Sequence, residues 1–216
     1  MLPALPDSVI CIKDGAFRGC EKITVAALPT ALSELGTGAF KRCVGMTELD
    51  INHTELTRIA DDAFAYCSNL TIKNQTIDCL VEEIGSNAFD YCDSLVLNFN
   101  DPDQVNRLKK IGYCGFGHTP KLNLENFPSS IEEIGLQACG GNNGLQGNIL
   151  SCNTIPRSVK KLGGYVFMFR RLADENKGIL IIENPDISID PNAFKNFSGV
   201  KEIWVPVSVN LTQKPS

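Results

Sequence analysis

No apolar run in this 216-residue chain approaches the ~20 residues that a membrane-spanning helix needs. Charge of one sign is also missing. Twenty Lys and Arg stand against 25 Asp and Glu, a formal charge of −5, and the cations are scattered except for short pairs such as Arg170–Arg171. Nothing in that pattern points to a nucleic-acid partner, which calls for a concentrated basic face. Histidine occurs twice and tryptophan once. There is no C-x-x-C pair with a partner pair, no H-E-x-x-H, no phosphate-binding glycine loop and no nucleophile elbow. The sequence therefore predicts no metal site, no cofactor and no catalytic apparatus. The opening "MLPALPDSV" carries no basic segment leading into an apolar stretch, so it does not read as a signal peptide. The expectation is either a cytoplasmic chain or a segment of a longer, exported one.

What the chain does have is repetition. One nine-residue motif recurs as "IKDGAFRGC" (12–20), "LGTGAFKRC" (35–43), "IADDAFAYC" (59–67) and "IGSNAFDYC" (84–92). It continues, less strictly, as "IGYCGFGHT" (111–119), "IGLQACGGN" (134–142), "LGGYVFMFR" (162–170) and "IDPNAFKNF" (189–197). The aromatic slot falls at Phe17, Phe40, Phe64, Phe89, Phe116, Cys139, Phe167 and Phe194, spaced 23 to 28 residues apart, and it takes seven of the eleven phenylalanines. A second block, apolar-Pro-x-x-apolar, precedes the motif in "LPDSV" (5–9), "LPTAL" (28–32), "FPSSI" (127–131) and "IPRSV" (155–159), and "VPVSV" (205–209) opens a ninth unit. A period of this length is the mark of a solenoid, in which equivalent residues stack as ladders about 4.8 Å apart.

Alternating runs follow each motif and read as short strands: "KITV" (22–25), "ELDI" (48–51), "LTIK" (70–73), "LVLNF" (95–99), "KLNL" (121–124) and "EIWV" (202–205). Each turn is then expected to be a strand, a Pro corner, an apolar return and a short helical segment carrying Ala-Phe. Glycine at 36, 85, 112, 135 and 163 would ease a turn, although Lys13, Ala60 and Asp190 in the same slot show that positive φ is not compulsory there.

Residues 28–43, "LPTALSELGTGAFKRC", are similar almost slot for slot to the repeat of the BspA-like leucine-rich repeats, the Treponema pallidum type. The resemblance runs from about residue 5 to residue 209. It implies an α/β solenoid, a right-handed superhelix of about eight coils with short strands on one face and short helical segments on the other. One solenoid domain over 1–216 is expected, and because a solenoid needs caps while this chain starts almost directly in a repeat and stops just after opening another, it reads as a segment of a longer protein. Family members are found mainly on bacterial surfaces and resemble adhesins that bind host matrix proteins or other cells. The function so implied is a non-enzymatic binding module at the cell surface or secreted, with a protein or glycan ligand. A host extracellular-matrix protein is one such ligand, and the segment itself is not inserted in a membrane. The alternative is an intracellular, cytoplasmic protein–protein scaffold, which the many thiols and bare N-terminus suit.

Of the nine cysteines, Cys20, Cys43, Cys67 and Cys92 share one repeat slot and Cys139 takes the Phe slot, so these five read as small buried hydrophobes. Neighbours in that ladder would come within reach of a disulfide, and Cys11, Cys79, Cys114 and Cys152 lie off it. Cys114 and His118, four apart, suggest a nucleophile–base pair only superficially, since no third group recurs near them. His53 reads as solvated, and the acidic pairs Glu82–Glu83 and Glu132–Glu133 as a solvated face.

Binding is expected on the face of the strands that follow the motif, where inward and outward residues alternate. With Ile23 and Val25 inward, Lys22 and Thr24 face out. The same rule exposes Asp50, Thr71, Lys73, Val96, Asn98, Asn123, Glu125 and Trp204. That row is polar and mixed in charge, suited to a protein or glycan rather than a buried cofactor. Trp204 reads either as an exposed anchor or as a ring packed on a following unit.

Overall fold

The computed structural model describes residues 5–25, 27–77, 80–97, 107–122, 126–141 and 149–206. Its backbone is ordered by a ladder of two-residue parallel strands: Cys11–Ile12, Glu34–Leu35, Arg58–Ile59, Glu83–Ile84, Lys110–Ile111, Glu133–Ile134, Lys161–Leu162 and Ser188–Ile189. The last six form one sheet in sequence order, and the first two pair with each other. Eight rungs delimit about seven turns, rather than the eight coils counted from the motif. This ladder runs through the segment before the motif, which the sequence had suggested was only an apolar return. Its aliphatic residue is buried in every rung from Ile12 to Leu162.

The motif is not helical. Among the described residues there is no α-helix, only the 3-10 turns Lys73–Gln75 and Asp174–Asn176, so the solenoid is not of the α/β class. Hydrogen bonding shows why. Alternate N–H groups stay within the coil, as in Ala16 to Lys13, Arg18 to Gly15 and Cys20 to Phe17. The others leave it: Gly15, Phe17 and Gly19 donate to the carbonyls of Thr37, Ala39 and Lys41 in the next coil. An α-helix would return every N–H to the residue four back. Here half the donors tie coil to coil, and Phe40, Phe64, Phe89 and Phe116 repeat the bond. In most copies two residues are also left-handed, as at Gly15 and Gly19, Asp62 and Tyr66, and Asn87 and Tyr91, and a right-handed helix cannot run through them.

The glycine that follows five of the eight rungs has a different role from the one expected. Its φ is not positive. A Cβ on Gly85 would stand 2.7 Å from the backbone N of Asp61, and one on Gly135 2.8 Å from the carbonyl carbon of Gly112. At these positions glycine lets successive coils touch backbone to backbone. The prolines behave as corners, each carbonyl of Pro6, Pro29, Pro128 and Pro156 accepting the N–H three residues on at 3.0–3.1 Å.

Inside, the rings of Phe17, Phe40, Phe64, Phe89 and Phe116 stack in a column with centroids 5.0–5.5 Å apart and planes within 12°. Cys139 interrupts it, and beyond the break Phe127 packs tilted against Phe167 at 6.1 Å, with Phe197 on the far side at 5.2 Å. Beside the rings runs the cysteine column. Cys43, Cys67 and Cys92 each donate Sγ–H to the Phe-slot carbonyl of the preceding coil, at 3.0, 3.1 and 3.2 Å. All eight described cysteines are free thiols. Where the seventh copy has Arg170 instead, its Nε makes the equivalent bond to the carbonyl of Cys139. The buried guanidinium then reaches on to the carbonyls of Thr119 at 2.9 Å and Leu122 at 3.3 Å.

The outward residue of the six middle rungs carries alternating charge: Glu34, Arg58, Glu83, Lys110, Glu133, Lys161. Arg58 and Lys110 flank Glu83 at 3.5 and 3.6 Å, and Lys161 meets Glu133 at 2.8 Å. A second column pairs Lys109 with Glu82 and Lys160 with Glu132, at 2.8 and 2.7 Å. The acidic pairs are therefore ion-paired rather than simply solvated.

The strands after the motif are less continuous than their alternation suggests. Glu48–Leu49 pairs with Thr71–Ile72, Ile149–Leu150 with Arg171–Leu172, and Ile179–Ile182 lies between Thr154–Ile155 and Glu202–Trp204. Residues 22–25, 95–97 and 121–122 form no strand, and 98–99 and 123–124 lie outside the described residues. The Phe slot always lies five positions after the rung's aliphatic residue, so all of the variation in repeat length falls after that slot. Register is kept in the first segment and lost in the second.

Candidate binding face

The outward row after the motif differs between its two ends. In the first coils it is polar. Lys22 and Thr24 are exposed over buried Ile23 and Val25, as expected. Pairing of Glu48 with Thr71 and of Leu49 with Ile72 brings Lys73 beside Asp50, and the two form an ion pair at 2.9 Å. Asp50 also accepts the N–H of Asn52 at 3.0 Å. Burial alone would raise its carboxyl, but Lys73 and the Asn52 N–H outweigh it and hold the group below its ordinary value. Thr71 spends its hydroxyl on the carbonyl of Thr47 at 2.8 Å. Of the predicted row, then, Asp50, Thr71 and Lys73 sit together, Lys22 and Thr24 occupy the coil before, and Val96 is half-buried. Asn98, Asn123 and Glu125 lie outside the described residues.

In the last coils the row turns apolar. Ile179–Ile182 is aliphatic throughout, with Leu180 and Ile182 buried and Ile179 and Ile181 on the outward side, half-buried. Trp204 pairs in register with Ile181, remains 53% exposed, and donates its indole N–H to Glu202 at 2.9 Å. Beside it opens a groove of about 450 Å³ lined by Arg157, Ile181, Ile182, Glu183, Trp204, Val205 and Pro206. A second groove, of about 430 Å³, opens along Lys121, Ile149, Ser151, Arg171 and Glu175, with Ile149 44% exposed. Sequence reasoning found Trp204 but missed its aliphatic neighbours. The signal was "GILIIE" (178–183), four apolar residues in a strand with one face expected to be wet.

On the turn side the left-handed slot before the last motif residue builds a second ladder. Arg42 lies over Tyr66 at 5.5 Å, Tyr66 stacks on Tyr91 at 4.9 Å, and Tyr91 on His118 at 4.2 Å. The ring faces are spent on one another, so the ladder is first a stabilising feature. His118 Nδ1 lies 2.8 Å from buried Asp90, whose carboxyl is raised by burial in spite of the imidazole. The Cys114 thiol instead faces Gln137 Oε1 at 3.7 Å and is pushed up to about 11 by burial, the opposite of an activated nucleophile. Cys114 and His118 thus do not form a working pair. His53 is exposed. Among the described residues no three His, Cys, Asp or Glu side chains converge as a metal site, and no helix is long and apolar enough to cross a membrane.

A family model described as the BspA type leucine-rich repeat region, in six copies, matches residues 3–110 and 97–214. Two solved structures are similar in fold. One is a leucine-rich repeat protein from Bacteroides ovatus, 19% identical, with 93% of this chain and 65% of that chain covered and a TM-score of 0.40. The other is a leucine-rich cell surface protein from Faecalibacterium prausnitzii, 16% identical, with 93% and 77% covered and a TM-score of 0.35. This chain therefore spans less than two thirds of the Bacteroides ovatus chain. No curated protein matches it.

Proposed function

This chain belongs to the BspA-type leucine-rich repeat family, and from that premise we propose that it is a non-enzymatic binding module of a surface-displayed or secreted protein. Residues 1–216 act in this reading as one solenoid unit, and the partner is a protein or a glycan. The observation that carries the proposal is the contrast between the two outward rows. The row before the motif is consumed in its own Glu–Lys and Glu–Arg pairs. The row after the motif leaves Lys22, Thr24 and Trp204 exposed and opens into both grooves. Surfaces with uncommitted aromatic and polar groups are the ones that recognise partners.

The test has two arms. Protease applied to intact source cells, followed with an antibody against this chain, should remove it; protection until lysis would refute surface display. A panel of matrix proteins, mucins and glycans should then bind wild type and the control Glu133→Gln alike. Binding should weaken in Lys22→Ala/Thr24→Ala, Asp50→Ala/Lys73→Ala or Trp204→Ala. Equal loss in the control would refute the choice of face. A cytoplasmic scaffold is the second reading, favoured by eight described cysteines that are all unpaired, as in a reducing compartment.

A further inference from the structure

We propose that Asn74 is the acceptor for an N-linked oligosaccharide. This rests on the surface-displayed or secreted reading above, because such transfer acts on exported chains. The pattern N-x-S/T occurs five times, at Asn52, Asn69, Asn74, Asn196 and Asn210, and the folded chain tells them apart. Asn210 lies outside the described residues.

A usable site needs two groups at once: a carboxamide nitrogen open to water, and an uncommitted hydroxyl two residues on, by which the acceptor is recognised. Asn52 is half-buried and Thr54 only 2% exposed, its hydroxyl donating to the Ile51 carbonyl at 3.2 Å and accepting the Leu56 N–H at 3.4 Å. Asn69 is exposed, but its Nδ2 donates to the Val44 carbonyl of the preceding coil at 2.9 Å, and Thr71 spends its hydroxyl on Thr47. Asn196 is exposed too, yet Ser198 is tied into the coil before it. It bridges to Arg171 and donates N–H and hydroxyl to the Arg170 carbonyl, at 3.1 and 3.5 Å.

Asn74 meets both conditions. It is the middle of three successive exposed residues, Lys73, Asn74 and Gln75, in the turn that leaves the strand Thr71–Ile72. Its φ of 57° and ψ of 7° are left-handed, a conformation that asparagine tolerates, and Gln75 follows at a φ of 59°. Among the described residues neither the Asn74 carboxamide nor the Thr76 hydroxyl makes a hydrogen bond. A sugar on that nitrogen therefore displaces no contact of the fold. In the transfer, Nδ2 attacks the anomeric carbon of an oligosaccharide carried on a lipid pyrophosphate. The nitrogen–carbon bond forms as the bond from that carbon to the pyrophosphate oxygen breaks. One amide proton passes to a base of the transferase, and the lipid pyrophosphate departs.

The test uses the full chain recovered from its source cells. A peptide N-glycosidase acting in heavy-oxygen water releases an N-linked oligosaccharide and leaves an aspartate marked with the heavy oxygen. Trypsin then cuts after Arg42, Arg58, Lys73 and Arg107, so Asn52, Asn69 and Asn74 fall in three different peptides. The expected result is a mark at residue 74 that needs the glycosidase, with none at 52 or 69. Thr76→Ala should abolish the mark although Asn74 is still present, and Thr76→Ser should keep it.

An unmarked residue 74, a mark at Asn52 or Asn69 in its place, or a mark that survives Thr76→Ala would overturn the assignment. If protease removes the chain from intact cells while Asn74 is unmarked, the surface reading stands and this assignment alone falls. Protection until lysis together with an unmarked Asn74 sinks both.

Discussion

Replacing Phe89 by Ala tests the architecture most directly. The ring is fully buried between those of Phe64 and Phe116, with centroids 5.4 and 5.5 Å away. The coils on either side cannot close over the void, because Phe64 N–H is bonded to Ala88 and Phe89 N–H to Gly115. Truncation of a buried Phe costs about 3–5 kcal/mol, and the loss of stacking on two sides, about 0.5–1.5 kcal/mol per pair, places this site in the upper half of that range. Phe17 is the internal control. It is half-buried and has one ring neighbour, Phe40 at 5.0 Å, so Phe17→Ala should cost about 1–2 kcal/mol.

The assay is urea unfolding followed by circular dichroism and by Trp204 emission together. Solenoids can unfold in segments, and Trp204 reports only the last coils. With a slope of about 2–3 kcal/mol/M, Phe89→Ala should lower the midpoint by about 1–2 M. A midpoint within about 0.3 M of wild type, or an equal loss at Phe17, would refute the continuous Phe column.

Two further perturbations reach other parts of the fold. Arg170→Ala removes a buried guanidinium, strands the carbonyls of Leu122 and Cys139 and leaves that of Thr119 with only the Leu122 N–H, so it should destabilise by about 3–5 kcal/mol. Arg170→Cys, which restores the residue of the earlier copies, should recover only part of that loss, and a thermal midpoint equal to wild type in either variant would deny the staple. The thiols give the second. Burial pushes Cys43 up to about 11 and Cys67 and Cys139 to about 12, from 9.0. Such groups hold their protons more tightly when folded, so they contribute fully below about pH 9, and that contribution is lost as pH climbs toward the folded values. Arg170, drawn down to about 10 by burial, acts in the opposite sense and softens the fall only above about pH 10. Urea midpoints should therefore drop between about pH 9 and 11, less steeply in Cys67→Ala. An identical slope in Cys67→Ala would count against a buried, protonated column.

Much of this was legible in the residues. The spacing of Phe17, Phe40, Phe64 and Phe89 predicted the ring column, and alternation placed Lys22, Thr24 and Trp204 outside. The ion pair of Asp50 with Lys73 was not legible, because it depends on which residues the coils set side by side. Nor was the apolar surround of Trp204, since Ile179 and Ile181 look like core residues until Leu180 and Ile182 are seen to fill the core between them. The turn ladder was misread as helix for a related reason. Ala and Phe are compatible with a helical turn, and only a neighbouring coil can offer the carbonyls that draw alternate N–H groups away.

Residue type and period by themselves determined that the chain coils, which side chains stack inward, and that cysteine could recur without bonding. Those are properties of one repeat copied, because a ladder needs only equal slots at equal steps. Tertiary structure alone decided where the sheet is continuous, why glycine follows most rungs, and how Arg170 could stand in for cysteine. These depend on the distance between one coil and the next, where backbone meets backbone and a buried charge finds its carbonyls, and no single copy of the repeat contains that distance.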